Sequence, residues 1–156
     1  MNRDLARLRA VADYQFGRGA GAALFLDDTR VEYSRNTGKP RHLWAGGELV
    51  ANYRPNDALF TVTIAGARRL IAALEGFKYT VTVMDEVVEF VEQGRNVFAK
   101  HVKDAGESIR PGDEVVVVDG SGEVVAVGKS KMNREDMLSF KTGTAVRVRR
   151  GRKKDR

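Results

Sequence analysis

The sequence predicts an α+β protein in two parts, a small α/β N-terminal domain followed by a small β-barrel. Three observations carry this. Apolar residues recur at helical spacing over residues 3–16 and 65–74, with β-branched and aromatic runs between them. From Tyr79 onward, valine-rich strands follow one another through short turns, the pattern of a small barrel. Between the two patterns, Glu75-Gly76-Phe77 ends the second helical run. The predicted domains are 1–76 and 77–150, with 151–156 as a basic tail expected to be disordered. A length of 156 residues suits one domain or two small ones.

In chain order, Leu5, Leu8, Val11, Ala12 and Gln15 form one helical stripe, with Arg3, Arg7 and Asp13 off it. The glycines of GRGAGA (17–22) end that helix. AALFL (22–26) reads as a short buried strand, and VEYSR (31–35) as an alternating one. NTGKP (36–40) is a turn leading to HLWAG, since Asn and Gly allow positive φ and Pro fixes its own. ELVANY (48–53) and LFTVT (59–63) are strands, and AGARRLIAAL (65–74) is a helix. The first half therefore reads α-β-β-β-β-α. In the second half YTVTVM (79–84) is a strand, and Asp85 is placed as N-cap of EVVEFVEQ, with Val87, Val88 and Val91 as its apolar face. Gly94 ends that helix and NVFAKHV follows as a strand. Arg110-Pro111-Gly112-Asp113 has turn chemistry. EVVVVD (114–119) and VVAVGKSKM (124–132) form a hairpin around GSGE, Asn133 caps a short helix, and TAVRVRR (144–150) is the last strand. This half reads β-α-β-β-β-α-β.

Composition narrows the function. The chain has no cysteine, so disulfides, Cys-based zinc sites and thiol nucleophiles are excluded. No segment approaches the roughly 18 apolar residues of a membrane span, and the N-terminus has no apolar run suited to a signal peptide. A soluble, cytoplasmic protein with no membrane partner is expected. The net charge of +6 is local: residues 146–156 hold seven Lys and Arg and one Asp. Taking those seven from 27 and that one from 21 leaves 20 against 20. A neutral body with a basic terminus fits nucleic acid, and equally a solubilising tail.

Several ordered motifs carry a resemblance. DEVVEFVEQ, GRNVFAKHV, RPGDEVVVVD, VVAVGKSKM and GTAVRVRRG, about 70 residues, resemble the PUA domain, a small RNA-binding β-barrel found on pseudouridine synthases and archaeosine enzymes. RPGDEV followed by a Val-Gly strand is the strongest part. In the first half, LRAVADYQFGRGAG, SRNTGKPRHL and LFTVTIAGARRL resemble the domain preceding PUA in archaeal tRNA-guanine transglycosylase and archaeosine synthase. The fold implied is a pre-PUA α+β domain plus a PUA-like β-barrel. The implied partner is RNA, tRNA near its acceptor stem and 3′ end foremost. A separately encoded tRNA-modifying enzyme is a further possible partner, and ribosomal or guide RNA shares the same chemistry. Those transglycosylases also carry a catalytic barrel with an aspartate and a cysteine-rich zinc site, for which this sequence has neither room nor cysteine. The resemblance therefore implies RNA binding without catalysis and without a cofactor.

Candidate RNA contacts follow. In PUA-like proteins the loop after the first helix and its following strand lie against RNA, which assigns Arg95, Asn96 and Lys100. The plain alternative makes Phe98 and Val102 core and leaves the cations solvated. Period two would separate Lys100 from His101. In the last strand Arg147 and Arg149 share a face, with Arg150 next to them. Guanidinium groups fork onto phosphate oxygens, while a solvated edge-protecting face is the competing reading. Arg35, Lys39 and Arg41 crowd a turn that either tracks an RNA stem or is an ordinary exposed hairpin. Tyr14, Phe16 and Trp44 are read as packing residues.

Catalysis has little support. His42 and His101 are the only histidines. The acidic pairs Asp27-Asp28, Asp85-Glu86 and Glu135-Asp136 sit at turns or helix starts, where helix dipoles favour them. Gly17-Arg18-Gly19-Ala20-Gly21 lacks the lysine of a P-loop. A protein-interaction or dimerisation module of a split tRNA-modifying enzyme remains the alternative reading, and the oligomeric state is left open.

Overall fold

The computed structural model describes residues 3–153. The chain forms two compact units that divide between Phe77 and Lys78.

In the first unit α1 (Leu5–Phe16) buries Leu5, Leu8 and Ala12 of the predicted stripe together with Phe16, while Val11 and Gln15 are half-buried. Gly17 and then Gly19 take positive φ, and the chain turns directly into a second helix, α2 (Ala20–Leu24). This corrects the AALFL strand: a short apolar run fits either a buried strand or a buried helix. Here packing against α1 decides. A Cβ on Gly21 would lie 2.3 Å from the Arg9 carbonyl oxygen, so the two helices meet backbone to backbone. Arg9 Nε donates to the Phe25 carbonyl at 2.7 Å, and the Asp13 carboxylate accepts from the Gly21 N–H at 2.7 Å.

Strands β1 (Arg30–Tyr33), β2 (Pro40–Ala45), β3 (Glu48–Arg54) and β4 (Leu59–Val62) form an antiparallel meander in that order. Helix α3 (Ile64–Ala73) follows, its first turn capped by Thr63, whose hydroxyl accepts from the Gly66 N–H at 3.0 Å. The core joins Leu8, Leu24, Phe25, Leu43, Phe60 and Leu70. Burying each such side chain is worth about 1.5–3 kcal/mol. Gln15 closes the outer edge of β4, its amide donating to the Phe60 carbonyl and accepting from the Phe60 N–H, both at 2.8 Å.

Two of the three aromatics assigned to packing depart from that reading. Phe16 is buried, but Tyr14 is 84% exposed. Trp44 is half-buried rather than core: its Nε1–H donates to Glu32 at 2.9 Å, and the Arg30 guanidinium lies 5.3 Å from its ring.

The second unit is a six-stranded sheet in the order β6-β10-β9-β8-β5-β7. Its strands are β5 (Thr80–Val83), β6 (Val97–Phe98), β7 (Val102–Ala105), β8 (Glu114–Val118), β9 (Val124–Ser130) and β10 (Thr144–Gly151). The two edge strands, β6 and β7, are consecutive in the chain, so the sheet curls into a nearly closed barrel. Residues 97–105 are therefore not one strand. They cross the seam, with a 3-10 turn at Ala99–His101 joining its two sides. The turn is held to both: Ala99 N–H donates to the Gly143 carbonyl and Met84 N–H to the His101 carbonyl, each at 3.0 Å. Period two breaks at this turn, so it does not place Lys100 and His101 on opposite faces.

Asp85 is not an N-cap. Met84 holds that position without a side-chain cap, Asp85–Val87 is a 3-10 turn, and α4 (Val88–Val91) follows as a single helical turn. Val87 and Val91 are buried against Val81, Val97, Val115 and Val146. At 110–113 the Gly112 φ of +96° and the 3.1 Å bond from Asp113 N–H to the Arg110 carbonyl complete the predicted turn. Helix α5 (Arg134–Ser139) starts at Asn133, whose side chain accepts from the Asp136 N–H at 2.9 Å. No helix among the described residues is long and apolar enough to cross a membrane.

Candidate nucleic-acid interface

The seam of the barrel opens into a cleft of about 560 Å³. One wall is the 3-10 turn and α4, contributing Glu86, Val87, Phe90 and Val91. The other is the Arg95–Phe98 segment with His101. Gly94, at a φ of +106°, turns the chain between the walls. The Gly94 N–H returns to the Val91 carbonyl at 2.9 Å, and Arg95 N–H to the Phe90 carbonyl at 3.2 Å.

Two aromatic rings face this cleft, Phe90 at 53% and Phe98 at 47% exposure. The plain alternative fails at Phe98, though it holds for the buried Val102: Val97 and Ala99 turn inward and Phe98 outward, with His101 edge-on to it at 6.5 Å between centroids. Sequence reasoning does not single out Phe90. The signal that could have found it is its place off the Val87–Val91 apolar face, between Glu89 and Glu92. The Arg95 side chain makes no hydrogen bond or ion pair with other described residues. Asn96 has a structural role, for its Oδ1 accepts from the Val148 N–H at 2.9 Å and extends the ladder between β6 and β10. Lys100 is exposed on the 3-10 turn and does not line the cleft.

The last strand separates its arginines. Arg147 is exposed and pairs in register with Lys129, and its side chain makes no hydrogen bond or ion pair with other described residues. Lys129 in turn faces Glu114, whose side chain is 1% exposed. Arg149 sits where the register slips between Val148 and Arg150, and its guanidinium forms a two-pronged pair with Glu114, Nη1 to Oε1 at 2.9 Å. Both prongs are spoken for, so Arg149 is a structural cation. Arg150 is exposed.

The expected disordered tail is ordered through Lys153. Gly151 is buried at the end of β10, and a Cβ there would lie 2.2 Å from the Glu92 carbonyl oxygen. Arg152 donates to Glu92 from Nε at 2.9 Å, and Lys153 N–H bonds to the Glu92 carbonyl at 2.9 Å. The Arg152 hydrogen bond, with support from Lys153, holds the Glu92 carboxyl below the usual range. This clasp fixes the end of α4, and so one wall of the cleft. Lys154, Asp155 and Arg156 lie outside the described residues.

In the first unit Arg35, Lys39 and Arg41 are all exposed on the β1–β2 turn and its exit, and Gly38 takes a positive φ there. His42 is committed to Asn52 at 2.6 Å. Among the described residues no group of three or more His, Cys, Asp or Glu side chains is placed to hold a metal.

Residues 6–76 match the family model for the patch-forming domain C2 of tRNA-guanine transglycosylase, and residues 79–152 match that of the PUA domain. The chain is a C2 domain joined to a PUA domain. The cleft lies within the PUA domain, and the basic β1–β2 turn belongs to the C2 domain. The chain is 45% identical over 148 residues to the tRNA-guanine(15) transglycosylase of Methanothermobacter thermautotrophicus, covering 95% of this chain and 23% of that protein. The corresponding protein of Thermococcus kodakarensis is 46% identical over 142 residues, covering 91% and 24%. The chain thus spans about a quarter of the length of the curated relatives it matches. In fold it is similar to a hypothetical protein of Pyrococcus horikoshii (TM-score 0.77, 20% identity, 98% of this chain and 92% of that one). It is also similar to a PUA domain from Aeropyrum pernix (TM-score 0.71, 15% identity, 98% and 84%).

Proposed function

We propose that the chain is a non-catalytic RNA-binding protein. Its C2 and PUA domains hold tRNA near the acceptor stem and 3′ end in support of a tRNA-modifying enzyme. The observation that carries this reading is the pair of exposed phenylalanines, Phe90 and Phe98, facing one cleft beside Arg95. Aromatic faces in a groove with a cation are how proteins take an unstacked base and its phosphate. The homologous transglycosylases, named for a tRNA guanine, support tRNA as the ligand. In this reading Arg95 contacts phosphate inside the cleft, while Lys100, Arg147 and Arg150 do so outside it. Arg35, Lys39 and Arg41 follow the stem from the C2 domain. Asn96 and Arg149 serve the interface by fixing β10.

The test is fluorescence anisotropy with labelled tRNA, intact and lacking its 3′ CCA, over a salt series. A stacked base is worth about 1–3 kcal/mol. Phe90→Ala with Phe98→Ala should therefore weaken intact tRNA by roughly 5- to 150-fold and erase its advantage over the shortened form. Equal affinity of wild type and double variant for both RNAs overturns the reading.

A second reading, a protein-interaction or dimerisation module, is favoured by Leu138 and Phe140, 43% and 50% exposed at and beyond the end of α5. Light scattering that shows a constant monomer argues against the dimer.

A further inference from the structure

The cleft holds opposite charges that do not neutralise each other. Glu86 and Arg95 both line it. Neither side chain makes a hydrogen bond or ion pair with other described residues, although both are exposed and long enough to turn toward a partner. A cleft built for phosphate alone gains nothing from a carboxylate, which repels the anion. The start of the 3-10 turn favours an acid at both Asp85 and Glu86, but of the two only Glu86 lines the cleft. A carboxylate is an acceptor without donors. Placed beside two exposed aromatic faces, it completes a site for something flat that carries N–H donors on its edge and an anion on its tail.

We propose that Glu86 is the specificity-determining residue of the cleft, and that it selects an unpaired nucleotide whose base bears an exocyclic amino group. The base lies against Phe90 and Phe98, its amino group donates to the Glu86 carboxylate, and its phosphate meets Arg95. Carboxylates accept from the cytosine amino group in this way in other nucleic-acid complexes. Adenine and guanine offer the same kind of donor. Uracil flanks its one N–H with two carbonyl oxygens, which face a carboxylate unfavourably. The inference rests on the reading of the cleft as a nucleotide site.

The experiment uses the full chain and four RNA hairpins that differ only in one unpaired 3′ nucleotide: adenosine, purine riboside, cytidine or uridine. Adenosine against purine riboside isolates one amino group, and cytidine against uridine exchanges it for a carbonyl. A hydrogen bond to a charged group supports roughly tenfold discrimination, so wild type should favour adenosine and cytidine by about that factor. Glu86→Ala should bring both ratios to near one without weakening the purine riboside or uridine probes. Glu86→Gln, which keeps a neutral acceptor and adds a donor, should fall between, with uridine gaining most. If wild type shows no preference, or Glu86→Ala keeps it, the inference is overturned. Phe90→Ala with Phe98→Ala separates the two levels. If that variant binds every hairpin as wild type does, the nucleotide cleft itself is refuted. If it weakens all four while Glu86→Ala leaves the ratios intact, only the role of Glu86 fails.

Discussion

Arg147 and Arg149 lie two residues apart on the last strand, and their substitution by alanine should have opposite consequences. Glu114 keeps a side chain only 1% exposed, held by the two prongs of Arg149, which is itself 38% exposed. Removing one partner of a buried pair costs about 3–5 kcal/mol. Water can enter on the Arg149 side, so we place Arg149→Ala below that range, at about 2 kcal/mol. For a domain of this size each kcal/mol moves Tm by roughly 4–8 °C, which gives a fall of roughly 8–16 °C. Arg147→Ala breaks no such pair and should leave Tm within a degree or two. Its effect should appear in tRNA affinity, with the slope of log K against log salt reduced by about 0.7–0.9 for the lost phosphate contact. Thermal unfolding and anisotropy over a salt series, run on both variants well below their Tm, read the two effects separately. Arg149→Met with Glu114→Leu provides the control, since an apolar pair of similar size replaces a buried ion pair at little cost. If Arg149→Ala is as stable as wild type and loses as much affinity as Arg147→Ala, the assignment of Arg149 as a structural cation is wrong.

The clasp at the end of β10 predicts a pH dependence. The Glu92 carboxyl is held below its ordinary value of 4.5 by Arg152 first and Lys153 with it. A group whose folded pKa is depressed contributes stability above its unfolded pKa and loses it as pH falls through the folded one. Denaturation of wild type and Glu92→Gln should therefore differ by a constant amount near neutrality, and converge as pH drops below 4.5; parallel curves down to acid would remove the clasp. In the C2 domain, Gln15→Leu strips both hydrogen bonds from the Phe60 peptide at the β4 edge. Unfolding in urea should show a loss of about 1–3 kcal/mol, with tRNA affinity unchanged.

Much of the fold is legible in the sequence because local chemistry and tertiary demand agree. The Leu5-Leu8-Ala12 stripe, the Asn133 cap and the Pro111-Gly112 turn each specify their own geometry within a few residues. The failures lie where a short segment answers to distant partners. AALFL is apolar throughout, so its pattern cannot separate strand from helix; the choice is made by Gly21 meeting the Arg9 carbonyl. NVFAKHV looks like one strand because β6 and the start of β7 both fall within it. The 3-10 turn between them exists to join opposite edges of a curled sheet, and no period within so few residues encodes that closure. That turn makes Phe98 a wall of the cleft rather than a core residue.

The charged residues make the same point more sharply. Arg147, Arg149 and Arg152 are alike as letters in one basic run, and their number rightly suggests nucleic acid. Their partners lie far off in sequence: Glu114 for Arg149 and Glu92 for Arg152, 35 and 60 positions away. Those two cations spend their charge holding the barrel and one wall of its cleft. What remains for an anionic ligand includes cations without such partners among the described residues, such as Arg95 in the cleft and Arg147 beside Lys129. A basic segment thus divides between building an interface and supplying its charge, and the division follows from which buried carboxylates the fold must neutralise. Glu86 is the complement of this rule. Among the described residues it is a carboxylate without a cationic partner, in a cleft where the Arg95 guanidinium has no carboxylate partner either, so the ligand supplies what each lacks.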